Sequence, residues 1–259
     1  MRSVLSFLWK IYLIFIAGPL FIVATFITAV LTIITTAIGG KRFWGYWPAH
    51  IWSRLVCFLA CVRVEVRNRE LIDKNESYVF VCNHQGAFDI WAIFGYLNHN
   101  FRWLMKKSLE KIIFVGYACR RSGHIFVDHS SLQSIKTTIE DARDQLKGGM
   151  SLVIFPEGTR SADGSLGSFK RGAFMLAGEF GLPVVPLSIQ GAYEIMPKDA
   201  KFPRPGKIIL TIHEPIRSET GSYNTRELLS QCYDIIKGDL EPEIKGDLEP
   251  AVTEVSQKD

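Results

Sequence analysis

The chain has 259 residues, of which 47% are hydrophobic and 22% charged, and its formal net charge is +4. This suits one domain with a sizeable core rather than two. The mild basic excess suits an anionic membrane surface or a phosphorylated substrate, and it is too weak to indicate nucleic acid as a partner. The five cysteines form no CxxC pair, which indicates reduced thiols facing a cytosolic compartment rather than a disulfide framework.

The N-terminal region is the most apolar part of the chain. Ile11–Ile38 contains no charged residue and is long enough to cross a bilayer core. Two arrangements are open: a single spanning helix, or a hairpin inserted in one leaflet and bent near Gly18–Pro19 or Gly39–Gly40. Positive charge on both flanks sets no orientation and is compatible with two cytosolic ends; the residues are Arg2, Lys10, Lys41, Arg42 and Arg54. We expect residues 1–60 to anchor the chain to a membrane.

The next segment joins this anchor to the domain. Phe43–Trp52 is rich in aromatic side chains that suit the headgroup level of a membrane, although packing on the domain would explain them equally well. Ile51–Val62 continues as an apolar helix. Val62–Val66 alternates apolar and charged residues, which predicts a first or edge strand.

The stretch YVFVCNHQGAFD carries the first candidate chemistry. Tyr78–Cys82 is a short apolar run that predicts a buried strand, and Phe88–Leu97 predicts a buried helix. His84 lies between them, and a turn at Gly86 would fold Asp89 back onto the imidazole. A carboxylate on one ring nitrogen makes the other a base for a substrate hydroxyl, as in a serine-protease triad whose nucleophile is left to the substrate. The alternative is a histidine that caps or packs the start of the helix.

The middle of the chain contains two candidate lysines and the helix and strands that we expect to form the framework of the domain. Lys106 and Lys107 follow an apolar run, and His124–Asp128 predicts a strand. Apolar residues then recur at helical spacing after a cap at Ser130 or Ser131, up to a stop at Gly148–Gly149: Leu132, Ile135, Ile139, Ala142 and Leu146. Strand, helix and strand in succession imply a parallel crossover. We therefore predict an α/β fold with a mixed, largely parallel sheet flanked by helices.

A second polar turn follows a second apolar strand. Ser151–Phe155 predicts the strand, and Pro156 ends it. Four residues then offer a flexible backbone, a hydroxyl and a guanidinium suited to phosphate: Glu157, Gly158, Thr159 and Arg160. An ordinary turn with a surface ion pair is the alternative. Because ligands bind at strand ends in open α/β sheets, the two turns together favour a site.

The remaining segments complete the domain and end in a tail. Residues 162–172 predict a flexible basic loop, and the elements that follow are a helix at Ala173–Phe180, strands at Val184–Ile189 and Lys207–His213, and a helix at Asn224–Ile236. The sequence KGDLEP then occurs twice, is charged and contains proline, and predicts disorder. We therefore expect an α/β domain over residues 61–236 and a disordered tail over 237–259.

Two of these blocks carry a resemblance to a known family. NHQGAFD (Asn83–Asp89) and FPEGTRS (Phe155–Ser161) resemble the best-known blocks of the glycerolipid acyltransferases, and most closely those of the branch that acylates 1-acyl-glycerol-3-phosphate. GHIFVDH (Gly123–His129) and LPVVPLSI (Leu182–Ile189) resemble two weaker blocks. The similarity runs in order from about Tyr78 to Pro215. His129 departs from the pattern because the family most often has arginine there.

The resemblance implies an activity and a set of roles. His84 and Asp89 would be catalytic, and the substrate would contact Glu157, Gly158, Thr159, Arg160, His129 and one of the lysines Lys106 and Lys107. The product would be phosphatidic acid, made from lysophosphatidic acid and an acyl-ACP or acyl-CoA donor without cofactor or metal. The resemblance also implies an N-terminal helical pair that rests in one leaflet of a membrane, with the active site on the cytoplasmic face.

Two other interpretations stay open at this point. An acyltransferase for another lysolipid, a lyso-aminolipid or lysophospholipid, would use the same chemistry, and the His129 departure keeps it open. A lipid hydrolase would use His84 to activate water, but it usually carries a GxSxG motif, which this sequence lacks.

Overall fold

One seven-stranded sheet organises the part of the chain that the computed structural model describes, residues 2–127, 150–218 and 223–241. The neighbour order is β1-β7-β6-β2-β5-β3-β4, and every neighbouring pair is parallel except β6 with β7. The strands are β1 (Val62–Arg67), β2 (Val79–Cys82), β3 (Phe101–Lys106), β4 (Ile125–Val127), β5 (Ser151–Ile154), β6 (Val184–Gln190) and β7 (Gly206–Ile212). The predicted mixed, largely parallel sheet is confirmed, and β1 lies at its edge.

Helices cover both faces of the sheet. They are α1 (Arg2–Tyr12), α2 (Gly18–Ile38), α3 (Lys41–Trp44), α4 (Trp47–Leu59), α5 (Phe88–Tyr96), α6 (Val115–Ser122), α7 (Gly172–Phe180), α8 (Ala192–Ile195) and α9 (Thr225–Leu240). Short 3-10 turns occupy Arg69–Leu71 and Lys107–Lys111. The predicted helices that fall within the described residues are confirmed in type, with ends shifted by a few residues, as is usual for boundaries set by fraying and capping.

The alternation of side chains along the strands divides the core into two layers. In β2, Phe80 and Cys82 face a cluster that includes residues of α4 and α5, while Val79 and Val81 face a cluster that includes residues of α7 and α9. All four side chains are fully buried. A central strand of a parallel sheet is covered by helices on both faces, so all of its side chains are buried. This is why the sequence of β2 is a continuous hydrophobic run.

The N-terminal segment is one long helical rod, with no break at Gly18–Pro19. A π-helical turn at Leu13–Ala17 joins α1 to α2. This wider turn accommodates Pro19, which has no amide hydrogen to donate to the preceding turn. The segment Val4–Ile38 is long and apolar enough to cross a membrane by length and composition. Its direction changes at Gly39–Gly40, where both residues have positive φ. Of the two predicted bends, only the second is therefore present.

Several elements differ from the sequence prediction: α3, α6 and α8 were not predicted, and two further differences have a clear physical reason. The strand β3 was not predicted, because Arg102 interrupts its apolar pattern; the guanidinium is buried and donates to Asn100 Oδ1 and to the carbonyl of Phe101. The helix α9 continues beyond Ile236 to Leu240, into the segment predicted to be tail. The side chain of Gln190 donates to the carbonyl of Asp239 and attaches this last turn to β6.

Other predictions lie outside the described residues. They concern His129, the helix over residues 132–146 with its caps at Ser130 or Ser131 and Gly148–Gly149, and the second KGDLEP copy.

Candidate active site

Three adjacent strands bring the candidate residues to one edge of the sheet. The strands β2, β5 and β3 are neighbours and run parallel, so their carboxyl ends lie side by side. His84 follows β2, the Glu157–Arg160 turn follows β5, and Lys106 is the last residue of β3. Because neighbouring strands lie about 4.8 Å apart, the end of β3 lies roughly 10 Å from the end of β2. That span suits one small headgroup.

His84 and Asp89 form a buried pair. As the sequence predicts, the turn at Gly86 folds Asp89 back, and its Oδ2 lies 2.7 Å from His84 Nδ1. The same oxygen accepts the amide hydrogen of Gly86 at 2.9 Å. The Asp89 side chain is fully buried, and that of His84 is 14% exposed. An ionised Asp89 holds the ring proton on Nδ1, which leaves Nε2 as a free base.

The turn requires glycine at residue 86. A Cβ on Gly86 would overlap the carbonyl oxygen of Ala192, at the start of α8. The neighbouring amide of Ala87 donates to the carbonyl of Met196 at 3.2 Å, so the turn and the α8 region are in close backbone contact. This close approach brings Asp89, in the first turn of α5, back to the imidazole.

Two aromatic rings fix the plane of the imidazole. The His84 ring stacks on Phe155 with centroids 4.0 Å apart and planes 11° apart, and Phe155 stacks in turn on Trp103 at 5.3 Å. The ring is therefore held on one face by Phe155 and on its edge by Asp89. From the sequence, Phe155 is predicted only as the end of a strand. Its position as the last residue before the Pro156 stop was the available signal.

Glu157 joins the two turns. Its Oε1 accepts the amide hydrogen of His84 at 2.7 Å, and its Oε2 accepts that of Gly167 at 3.0 Å. Burial raises the pKa of the Glu157 carboxyl, and these two amide contacts oppose the shift. The resemblance implied that Glu157 contacts substrate. In the structure both of its carboxylate oxygens accept backbone amide hydrogens, so the side chain braces the two turns.

Asn83 ties the turn that carries His84 to the sheet. Its amide donates to the carbonyl of Ile189 at 2.9 Å, and its oxygen accepts the amide hydrogen of Ile189 at 2.8 Å. The side chain thus completes a ladder between the end of β2 and β6 and is fully buried. This role of Asn83 could not be predicted from the sequence, because a paired side-chain amide cannot be recognised without knowing which strand is adjacent.

We expect Asn83→Ala to destabilise the fold. The change leaves two buried backbone groups of Ile189 without partners, and it should lower the free energy of unfolding by about 2–4 kcal/mol. The measurement is the urea midpoint of the detergent-solubilised protein. Asn75→Ala is the matched control: Asn75 is exposed, and its replacement should change stability by less than about 0.5 kcal/mol. Equal midpoints for the two variants would contradict the assignment.

Basic side chains surround the turn after β5. Gly158 has φ +73, and a Cβ there would lie 2.7 Å from Lys170 Nζ, so the ammonium lies directly over this turn. Thr159 is exposed, and Arg160 is partly exposed and makes no hydrogen bond or ion pair with other residues that the structure describes. Of the two lysines after the apolar run, Lys107 pairs with Glu110 at 2.8 Å, whereas Lys106 is exposed and forms no such pair within the described residues.

Two apolar cavities flank α5 beside this edge. One, of about 280 Å³, lies between α5 and the N-terminal rod and is lined by Leu13, Phe21, Phe88, Trp91, Met196 and Phe202. The other, of about 200 Å³, is lined by Ala29, Trp52, Ile90, Phe94, Trp103 and Met105. The second shares Trp103 with the stack that supports His84. Both cavities suit hydrocarbon, and the second reaches the aromatic stack that supports the His84 ring.

Comparison with known proteins gives consistent matches. Residues 63–190 match the model of the Acyltransferase family. The chain is 30% identical to a 1-acyl-sn-glycerol-3-phosphate acyltransferase of Chlamydomonas reinhardtii over 70% of its own length and 54% of that protein's. It is 28% identical to a chloroplastic 1-acyl-sn-glycerol-3-phosphate acyltransferase of Arabidopsis thaliana over 83% and 63%, so it spans less than two thirds of either relative.

A solved structure matches over almost its whole length. The crystal structure of the 1-acyl-sn-glycerophosphate acyltransferase of Thermotoga maritima superposes with a TM-score of 0.77 at 29% identity. The match covers 93% of this chain and 97% of that one. The similarity therefore includes both the sheet and the helices at the N-terminus.

Proposed function

The chain belongs to the glycerolipid acyltransferase family, and from that premise we propose that it acylates the free sn-2 hydroxyl of 1-acyl-glycerol-3-phosphate to give phosphatidic acid. The acyl chain comes from a thioester, either acyl-ACP or acyl-CoA. The observation that carries this proposal is the His84–Asp89 contact of 2.7 Å at an edge of the sheet that also presents Arg160 and Lys106. A base and a phosphate-binding group on the same edge are what this substrate requires.

The proposed reaction uses His84 twice. Its Nε2 takes the proton of the substrate hydroxyl while the oxygen attacks the thioester carbon. The tetrahedral intermediate then collapses, the carbon–sulfur bond breaks, and the imidazolium returns the proton to the leaving thiolate. Asp89 keeps the ring in the required tautomer and stabilises the imidazolium between the two steps. The chain supplies no nucleophile of its own, because the lysolipid oxygen performs that role.

The headgroup is held by the basic side chains at the strand ends. Arg160 presents a planar fork that matches two phosphate oxygens, and Lys106 and Lys170 add point charges on either side of it. The exposed side chain of Thr159 lies on the same turn and can extend this cradle. A lysolipid without a phosphate monoester would leave these cations without a partner, which is the basis of the proposed preference.

Lys106 and Lys107 should differ in their effect on substrate binding. We expect Lys106→Ala to raise KM for lysophosphatidic acid about 10- to 100-fold, the loss of one charge-assisted contact to phosphate. Lys107→Ala removes only an exposed pair with Glu110 and should change KM by no more than about twofold. Steady-state kinetics in mixed micelles, with the lysolipid varied, checks both. A larger effect at Lys107 would reverse the assignment.

We propose that the enzyme is membrane-bound through its N-terminal rod and works at the cytoplasmic face. Support comes from the segment Val4–Ile38, whose composition suits a bilayer, and from the way α2 packs along α4 and α6. A helix attached along one side to the domain favours insertion in one leaflet over a free crossing of the bilayer. Its outer side carries a row of exposed apolar residues: Ile22, Val23, Phe26, Ile27, Ile34 and Ile38.

The two apolar cavities beside α5 are suited to acyl chains. Each is bounded by residues of the N-terminal rod or α4 on one side and α5 on the other, so a chain can enter from the membrane side. A hydrocarbon placed in either would lie close to the turn that carries His84. The donor thioester and the acceptor hydroxyl would then meet at Nε2.

The test of the function is a substrate panel. The purified protein in detergent is offered lysophosphatidic acid, lysophosphatidylcholine and a lyso-aminolipid, each with acyl-CoA and with acyl-ACP, and products are identified by mass spectrometry. We expect phosphatidic acid to be the main product. Preferential acylation of another lysolipid would agree with the proposed acyl transfer but refute the proposed headgroup preference. Release of free fatty acid without acyl transfer would refute the proposed reaction.

A further inference from the structure

A short loop between β3 and α6 exposes an unusual set of large apolar side chains. Ile112, Ile113 and Phe114 are consecutive and 48%, 79% and 52% exposed, and Tyr117 on the next turn is 54% exposed. We call these four residues the 112–117 tip. Consecutive exposed apolar residues of this size are rare on soluble surfaces unless they contact a partner.

The backbone of the tip is tightly folded. The amide of Ile112 donates to the carbonyl of Leu109 at 3.2 Å, and that of Gly116 donates to Ile112 at 2.7 Å. A Cβ on Gly116 would overlap the backbone of Glu110. Phe114 has φ +61, a conformation that a bulky residue rarely adopts. The loop therefore holds its apolar side chains outward against local preference.

The tip is continuous with the outer side of α2. The rings of Phe114 and Phe26 meet edge to face with centroids 5.4 Å apart, and Phe26 is itself exposed. From Phe26 the exposed apolar row of α2 extends in both directions, for example to Ile22 and Ile34. The two elements thus form one apolar surface from distant parts of the sequence.

Positive charge borders this surface. Between residues 101 and 127 one acidic residue, Glu110, stands against five exposed or partly exposed basic residues: Lys106, Lys107, Lys111, Arg120 and Arg121. Glu110 forms ion pairs with Lys107 and with Arg120. Lys106 and Lys111, which are close to Glu110 in the sequence, are exposed. An apolar tip with a basic border matches a bilayer whose headgroups are anionic.

We propose that the 112–117 tip inserts into an anionic lipid bilayer beside α2, as a second membrane contact in addition to the N-terminal rod. The apolar side chains enter the acyl region, and the bordering lysines lie at the headgroup level. Because Lys106 ends β3 immediately before this loop, insertion would also hold the carboxyl edge of the sheet at the membrane surface.

The test places a fluorophore at the tip and at a matched exposed site. In a Cys61→Ser, Cys119→Ser background, Ile113→Cys and, separately, Met175→Cys are labelled with an environment-sensitive dye. The background protein alone measures residual labelling of the three buried thiols, Cys57, Cys82 and Cys232. Met175 is 52% exposed and lies on α7, against the opposite face of the sheet. The full chain is reconstituted in vesicles of phosphatidylcholine and phosphatidylglycerol, and quenching by doxyl-labelled lipid and by aqueous iodide is compared.

We expect dye at residue 113 to emit further to the blue, to be quenched by doxyl lipid and to be protected from iodide, with the reverse at residue 175. We also expect weaker doxyl quenching at 113 in pure phosphatidylcholine. Equal iodide quenching at both sites would overturn the proposal. Protection from iodide without doxyl quenching would overturn it too, because it would indicate that a second copy of the chain covers the tip.

Discussion

His84→Ala is expected to abolish acyl transfer, with kcat lowered about 10²- to 10⁴-fold, the usual contribution of a positioned general base. The side chain is held by Asp89 on one edge and by Phe155 on one face, so its ring is fixed in position for this role. KM for lysophosphatidic acid should change little, because the proposed phosphate contacts are made by other residues. Formation of labelled phosphatidic acid, followed over time in detergent, is the measurement.

A matched histidine controls for effects on folding. His213 also hydrogen-bonds through its ring, to Ser188 at 2.6 Å, but it lies after β7, away from the catalytic turn. His213→Ala should retain most of the wild-type activity per folded molecule. Retention of more than about a tenth of the activity by His84→Ala would refute the role of His84 as the base.

Asp89→Asn is expected to lower kcat about 10³- to 10⁴-fold, as replacing the orienting carboxylate of a catalytic triad does. The amide has nearly the shape of the carboxylate, so the turn at Gly86 can persist. It cannot, however, stabilise an imidazolium, and it can leave the ring in the wrong tautomer. Activity of the variant close to that of the wild type would show that Asp89 has only a packing role.

The same substitution should not reduce stability. Burial raises the pKa of the Asp89 carboxyl, an effect that the hydrogen bond to His84 only partly offsets. A raised carboxyl pKa means that the folded state favours the protonated form, so stability is present below the unfolded pKa and is lost as pH rises through the folded pKa. Asp89→Asn should therefore unfold at the same or a higher temperature at neutral pH. The difference in unfolding temperature between the variant and wild type should become smaller as pH falls. An unfolding temperature of the variant below that of wild type at neutral pH would contradict this prediction.

A second histidine cluster superficially resembles a hydrolase triad. Ser188, His213 and Asp239 lie together, but Ser188 Oγ and Asp239 Oδ2 both face the same ring nitrogen, Nε2, at 2.6 Å and 3.9 Å. The carboxylate therefore cannot orient the ring from Nδ1, and the Ser188 hydroxyl is fully buried. This geometry favours a structural role and leaves His84 as the better base.

Much of the fold follows from local pattern. The runs at Tyr78–Cys82 and Ser151–Phe155 are short, apolar and bounded by breakers, and they form β2 and β5 close to the predicted bounds. The apolar pattern did not predict β3, because it is interrupted by Arg102. The guanidinium of this residue is buried and donates to the carbonyl groups of Phe101 and Lys41. The pattern failed again at the end of α9, since contact with β6 extends a helix whose sequence resembles a solvated tail.

The sequence by itself determined the chemical parts of the site: a histidine and an aspartate separated by a glycine turn, and a second turn with Glu157 and Arg160. Those parts are local, so adjacent residues suffice to specify them. Tertiary structure alone decided how they act together. The pairing of β2, β5 and β3 aligns the two turns, Phe155 holds the ring, and Asn83 and Glu157 use backbone partners more than 70 residues away. Such contacts are set by which strands become neighbours, and no local pattern records that choice.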